Sequence, residues 1–363
     1  MAAFVSSPRF VEHITGPHHP ERPDRIRAVH KAVRDAGLID SPNPFPEFAL
    51  DLGLKRQDHI RCLEVEPIIA DENLLELAHT SEHIHRVKHI CELGGGVLDL
   101  GDTPVGPTSY EISLLSLGSA IVACDAVMDG RAKRAFSAAR PPGHHAEPDR
   151  AMGFCLFSNI AIAAKYLQKR HGVGRVAIVD FDVHHGNGTQ ACLESDPSVL
   201  FISLHQDPRT CYPGSGHAYE IGTETGEGFT INLPLQPGSD DDDYLRVIDE
   251  RVVPALNEFR PEVLLISAGF DAHAEDPLAQ MNLSEDGFEQ ITRRLVAVAD
   301  QHCGGRVVSM LEGGYNLRAL GRSVVKHLTA LSGRTLRAMG FRPLLWRLER
   351  HVYGRDARVT EDL

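Results

Sequence analysis

Short apolar runs separated by longer stretches of helical periodicity organise this chain. Five runs, at residues 135–139, 176–181, 199–204, 263–268 and 307–311, are built almost entirely from Val, Ile, Leu, Phe and Ala. Unbroken apolar segments of this length are the pattern of strands covered on both faces. Between them, residues 159–170, 244–259 and 288–301 place apolar side chains at helical spacing. Strands alternating with helices predict βαβ units and an α/β fold of three layers, α/β/α, around a central, mostly parallel sheet. No internal repeat or low-complexity linker divides the chain, so one domain over residues 1–333 is expected.

The polar residues that follow each run carry the chemistry. The first run leads into Arg140-Pro-Pro-Gly-His144-His145, and the second into Asp180-Phe-Asp182-Val-His184-His-Gly-Asn187. The others lead into His205, into Gly269-Phe-Asp271-Ala-His273, and into Glu312-Gly-Gly-Tyr315. Open parallel sheets build their sites beyond the carboxyl ends of their strands, so these five termini are expected to converge.

Within that set, a carboxylate and an imidazole two residues apart at a strand exit, Asp182 and His184, suit a single metal ion. Asp271 is placed to supply a third ligand. Three N/O ligands with an open position describe a catalytic zinc site, although iron or cobalt suits the same donors. On a continuing strand Asp180 and Asp182 would share a face. The tandem His144-His145 sits in a loop of Gly and Pro, where two imidazoles are poor core material and good general acid–base groups. Asp180 and Asn187 are candidates to hold their second ring nitrogens. Tyr315 is a candidate donor to a carbonyl oxygen that becomes tetrahedral.

Charge and cysteine content narrow the class. With 50 acidic against 37 basic residues the net charge is −13, which argues against a nucleic-acid surface and tolerates a cationic substrate. Seven scattered cysteines, with no C-x-x-C pair, read as reduced thiols in a cytoplasmic protein. The first residues lack the features of a signal peptide, and no apolar run appears long enough to span a membrane. The four acids at 240–243 precede an apolar-periodic stretch and read as helix N-terminal charges. The arginine-rich segment from 334 to 363 reads as a tail packed on the domain or on a sister subunit of a homo-oligomer.

The segments Arg140-Pro-Pro-Gly-His-His-Ala, Met152-Gly-Phe-Cys155, Asp180 to Thr189, Tyr212-Pro-Gly-Ser-Gly, Ser267 to His273 and Leu311-Glu-Gly-Gly-Tyr315, with His19-Pro-Glu-Arg-Pro-Asp-Arg25, together resemble the zinc-dependent histone deacetylase and acetylpolyamine amidohydrolase superfamily. The resemblance runs from about residue 10 to 330. It implies the arginase/deacetylase-like fold, a zinc at the base of a narrow acyl tunnel, and hydrolysis of the amide of an acetylated lysine side chain or an acetylpolyamine.

Carried over, it makes Asp182, His184 and Asp271 the zinc ligands, His145 the general base and acid, His144 its electrostatic companion, and Tyr315 the group that polarises the carbonyl. Asp180 and Asn187 become the partners of the two histidines. Gly153, Phe154 and Tyr212 become tunnel wall, Asp102 the rim aspartate, and Arg25 the arginine beneath the site. Asp180, Asp182, His184, Ser203 and Leu204 match a structural potassium site, three of them through backbone carbonyls. Asn187 resembles the class II and bacterial branch, and Tyr212 stands where phenylalanine is usual.

Thr103 gives Cys155 no partner for a redox disulfide. Residues 45–67 match no part of the pattern and are expected to reshape the rim. A two-metal, arginase-like hydrolase lacks a ligand at Gly186, and a non-catalytic acetyl-lysine reader would have no need of this complete set.

Overall fold

The computed structural model describes residues 1–57, 60–99 and 101–333; the arginine-rich tail expected from residue 334 lies outside them. Strands β1 (Ala2–Val5), β2 (Leu63–Val65), β5 (Arg134–Ser137), β6 (Val176–Asp180), β7 (Val199–Gln206), β8 (Thr230–Leu235), β9 (Val263–Ala268) and β10 (Val307–Leu311) form one sheet in the order β2-β1-β5-β10-β9-β6-β7-β8. Every neighbouring pair is parallel. A short antiparallel hairpin, β3 (Gly96–Val97) and β4 (Pro104–Val105), stands apart from it.

Alternate residues of each strand face opposite helical layers, as the two-residue period of a strand requires. Phe4, Val179 and Ile266 enter one core with α1 (Asp24–Asp35), α8 (Glu285–His302) and α9 (Leu317–Ser332). Val5, Ile178 and Leu265 enter a second core with α3 (Ser109–Met128) and α4 (Asn159–His171). Helices α2 (Ser81–Glu92) and α5 (Asn187–Leu193) complete the second side, and α6 (Asp241–Val247), a π turn (Ile248–Val252) and α7 (Val253–Phe259) the first. The three-layer expectation holds.

Several boundaries differ from the periodicity. The first run stops pairing at Ser137, the second stops at Asp180, and the third continues to Gln206. The helix expected over 244–259 begins at Asp241, and Asp240 caps it by accepting from the amides of Asp242 and Asp243. That is the helix N-terminal role expected of the acids. Helix α3 corrects the reading that no segment is long and apolar enough to cross a bilayer. It has 20 residues and passes on length and composition, yet 78 % of its apolar window is buried in the core. Ser, Gly and Ala interrupt its apolar residues and let it pack against β5 and α4, which obscured its length in the sequence. Among the described residues of 45–67, none lines the tunnel or the outer groove, so the expected reshaping of the rim is not seen in them. They supply the edge strand β2, and they bring Phe45 and Leu52 into the core beside α1 and α9.

Candidate active site

Beyond Asp180 the chain curls through two carboxylate turns. The Asp182 amide donates to Asp180 Oδ1 at 3.0 Å, and the His184 amide donates to Asp182 Oδ1 at 2.9 Å. The two aspartates are therefore not neighbours on one strand face, as alternation suggested. The strand ends first, and each carboxylate turns to its own partners. Asp182 Oδ2 accepts from the Gly313 amide at 2.8 Å, and Oδ1 lies 3.0 Å from His184 Nδ1. Asp271, beyond β9, accepts from the Val183 amide through Oδ1 at 3.0 Å. Its Oδ2 lies 3.2 Å from the same His184 Nδ1 but accepts no hydrogen bond.

Asp182 and Asp271 are fully buried, and His184 is nearly so. Two buried carboxylates around one imidazole nitrogen require a positive charge between them. Burial opposes a proton on His184, but Asp182 and Asp271 outweigh it and hold the pKa well above the ordinary range. A divalent cation satisfies the same electrostatic demand and gives the idle Asp271 oxygen a ligand role. Gly269 and Gly313 permit the close approach, since a Cβ on either would collide with the carboxylates of Asp182 or Asp271.

The Pro-Gly-His-His loop is pinned by Glu312, whose Oε2 accepts from the amides of Gly143 and His144 at 2.7 and 3.1 Å. His144 Nδ1 meets Asp180 Oδ2 at 3.0 Å, and His145 Nδ1 meets Asn187 Oδ1 at 2.7 Å. The two rings lie 4.0 Å apart. Burial works against charge on His144, but Asp182 and Asp180 prevail and hold its pKa up at about 10. For His145, burial and the neighbouring charges of His144 and His184 act together and push the pKa well below the ordinary value. One imidazole is thus kept charged and the other neutral, the division of labour that acid–base catalysis uses. The group His144, Cys155 and Glu312 is also compact enough for a metal. Both Glu312 oxygens already accept hydrogen bonds, and burial drives the Cys155 thiol far above its ordinary pKa, so its donors suit an ion poorly.

Tyr315 is aimed by its backbone, whose amide donates to Asp276 Oδ2 at 2.6 Å. The Arg25 guanidinium lies over its ring, 5.0 Å from the centroid, and donates to the carbonyls of Gly314 and Glu312. Burial raises the phenol pKa well above its ordinary value, so it stays a donor. Opposite, Gly153 and Phe154 adopt φ of 56° and 70°. A Cβ at Gly153 would strike the His145 ring, so glycine is required there. Phe154 and Tyr212 face His145, His184 and Tyr315 across a cavity of about 210 Å³. Asp102 stands at its mouth and is shared, with Tyr212, by an outer groove of about 730 Å³ that also carries Arg86 and Arg150.

Four of the five strand termini therefore meet. The fifth does not: His205 is inside β7, its Nδ1 against Ser203 Oγ at 2.8 Å and its Nε2 against the Gly216 carbonyl at 2.8 Å. His273 also stays outside the tunnel, 3.5 Å from Glu285. Ser203 registers beside Asp180, with Leu204 next on the same strand, and the Ser203 hydroxyl is engaged by His205.

Sequence reasoning missed Glu21, Glu147, Asp276 and Glu312. Glu21 binds Arg140 through both oxygens at 2.7 and 2.6 Å and Arg25 at 3.1 Å, all three fully buried. Glu21 and Glu312 lie inside motifs already singled out, and for Glu312 an acid directly after an apolar strand was the available signal.

A family model described as the histone deacetylase domain matches residues 19–331. The chain is 47 % identical over 305 residues to a histone deacetylase-like amidohydrolase of Pseudomonas aeruginosa, covering 84 % of this chain and 79 % of that protein. It is 39 % identical over 354 residues to a probable deacetylase of Archaeoglobus fulgidus, covering 96 % and 92 %. Among solved structures, one titled as the crystal structure of the HDA15 HD domain aligns with TM-score 0.81 and 35 % identity, covering 93 % of this chain and 91 % of that one.

Proposed function

The chain belongs to the histone deacetylase family and is a deacetylase; from that premise we propose that it hydrolyses the acetyl amide of a lysine side chain carried on a peptide. The observation that carries the reading is the convergence of Asp182, His184 and Asp271 with a neutral His145 and a protonated Tyr315 around one narrow cavity.

Asp182, His184 and Asp271 would hold one catalytic zinc. Bound there, a divalent ion polarises an acyl carbonyl and lowers the pKa of water. The chain's own groups account for the rest. His145 has Nδ1 engaged by Asn187, which leaves Nε2 to take a proton from the attacking water. Tyr315 donates its phenol to the oxyanion as the carbonyl becomes tetrahedral. His144, held cationic beside Asp180, stabilises the negative charge that develops. His145, now protonated, returns the proton to the departing amine. Gly153, Phe154 and Tyr212 line the cavity around an extended alkyl chain, and Asp102 meets the substrate backbone at the mouth. Potassium held by Asp180, Asp182, His184, Ser203 and Leu204 belongs to the same proposal, supported by the adjacency of β6 and β7.

A peptide fits the outer groove by size: about 730 Å³ of open space beyond the tunnel accommodates backbone on either side of the lysine, and Asp99 and Asp102 there balance Arg86 and Arg150. Parallel turnover of an acetyl-lysine peptide and of acetylated polyamines tests the assignment. Higher kcat/KM for a polyamine would reverse it.

A further inference from the structure

An asparagine beside a catalytic histidine poses a question that an aspartate would not. Its side chain has one accepting end and one donating end, and only the accepting end leaves His145 a base at Nε2. Something must decide which end faces the ring. Asn187 Nδ2 has three neighbours, all acceptors: Glu147 Oε1 at 2.7 Å, Met152 Sδ at 3.3 Å and the His145 carbonyl at 3.4 Å. Glu147 is the decisive one, because a carboxylate cannot donate. Its other oxygen is engaged by Arg150 at 2.6 Å, which orients the group. Arg150 reaches out to the groove beyond the tunnel mouth.

We propose that Glu147 is a positioning residue for the deacetylation reaction: it locks the Asn187 amide, so that Asn187 Oδ1 holds the His145 proton on Nδ1 and Nε2 remains the base. The inference rests on the assignment of His145 as that base. The argument is one of hydrogen-bond polarity along a chain, Arg150 to Glu147 to Asn187 to His145. Each link has a single allowed direction once the carboxylate is fixed. Reversing Asn187 would point Nδ2 at His145 Nδ1, move the imidazole proton to Nε2 and leave the cavity facing an N–H.

The test uses the full-length, metal-loaded protein. In Glu147→Gln the new amide can turn its carbonyl to Arg150 and its NH2 to Asn187, which favours the reversed chain. Removing a partner of this kind costs roughly 10–100-fold in activity, and the loss is expected in kcat, with KM little changed. Adding Asn187→Asp to Glu147→Gln supplies an acceptor at either end and should recover most of kcat; a merely structural Glu147 would not be rescued in this way. Nitrogen-15 chemical shifts of the His145 ring give a readout that needs no variant and no turnover. They should show the proton on Nδ1 in the parent, and a gain of the Nε2–H tautomer in Glu147→Gln. Parent protein with the proton on Nε2 overturns the proposal, as does Glu147→Gln with kcat within twofold of the parent. So does a loss that the double variant fails to recover at parent metal content and Tm. A parent with the Nδ1–H tautomer but no turnover of acetyl-lysine peptide would count against the proposed function and leave this inference standing.

Discussion

The Oδ2 atom of Asp271 lies 3.2 Å from Nδ1 of His184 and accepts no hydrogen bond, although it is fully buried. A buried carboxylate oxygen short of a hydrogen bond costs on the order of 1–3 kcal/mol, and a cation seated beside His184 would relieve that cost. Purified protein is accordingly expected to hold about one catalytic divalent ion per chain. Asp182→Ala and Asp271→Ala should each empty the site, as read by elemental analysis. Two transition-metal equivalents at the centre would instead favour an arginase-like hydrolase.

The opposed protonation of the paired histidines separates their roles. His145→Ala removes the base and should lower turnover by about 10²–10⁴-fold while metal content stays at the parent level. His144→Ala should cost less, because His144 acts through its charge. Equal activity for His145→Ala and the parent would remove His145 from the mechanism.

The phenol of Tyr315 is held by the Asp276 contact to its backbone and the Arg25 contact to its ring. Tyr315→Phe should lower kcat by roughly 10²–10³-fold, the range for losing one oxyanion donor. Substrate affinity should change far less, since the bond strengthens only as the carbonyl becomes tetrahedral. An unchanged kcat would refute the oxyanion role.

Acid sensitivity has a source outside the site. His327 is fully buried between Thr292 and Ser309, with Phe136, Phe181 and Phe270 around it. Burial pushes its pKa down to about 3. The unfolded chain therefore takes up the proton first as pH falls. The stability that neutral His327 confers is complete above about pH 6.5 and is lost on descent toward pH 3, at up to about 1.4 kcal/mol per pH unit. In His327→Gln, which keeps a donor and an acceptor, the fall in unfolding free energy between pH 6.5 and 5 should be shallower by about 1 kcal/mol per unit. Urea titrations at the two pH values measure this, and parallel slopes would assign the acid limb elsewhere.

Much of the site was legible because its residues cannot be anything else where they stand. Asp182, His184 and Asp271 follow apolar runs so closely that burial is forced, and buried charge demands a partner. What misled was geometry of short range. Alternation placed Asp180 and Asp182 on one strand face, but the strand stops at Asp180 because its own carboxylate captures the Asp182 amide. His205 looked like a fifth site residue because nothing local reveals that β7 runs three residues further than its neighbour β6.

The sequence by itself determined the class of sheet, the strand ends that carry chemistry, the metal-binding trio and the family to which they point. These follow from local pattern and from residue types with few alternative uses. Only the tertiary structure decided that β5, β10, β9 and β6 lie side by side and bring four termini to one cavity. It alone decided that Glu21 balances Arg25 and Arg140, and that Glu147, 40 residues before Asn187, faces the donating end of its amide. Such choices depend on which charges become close once water is excluded. Coulombic and hydrogen-bond energies rise with that exclusion, and distance along the chain carries no record of it.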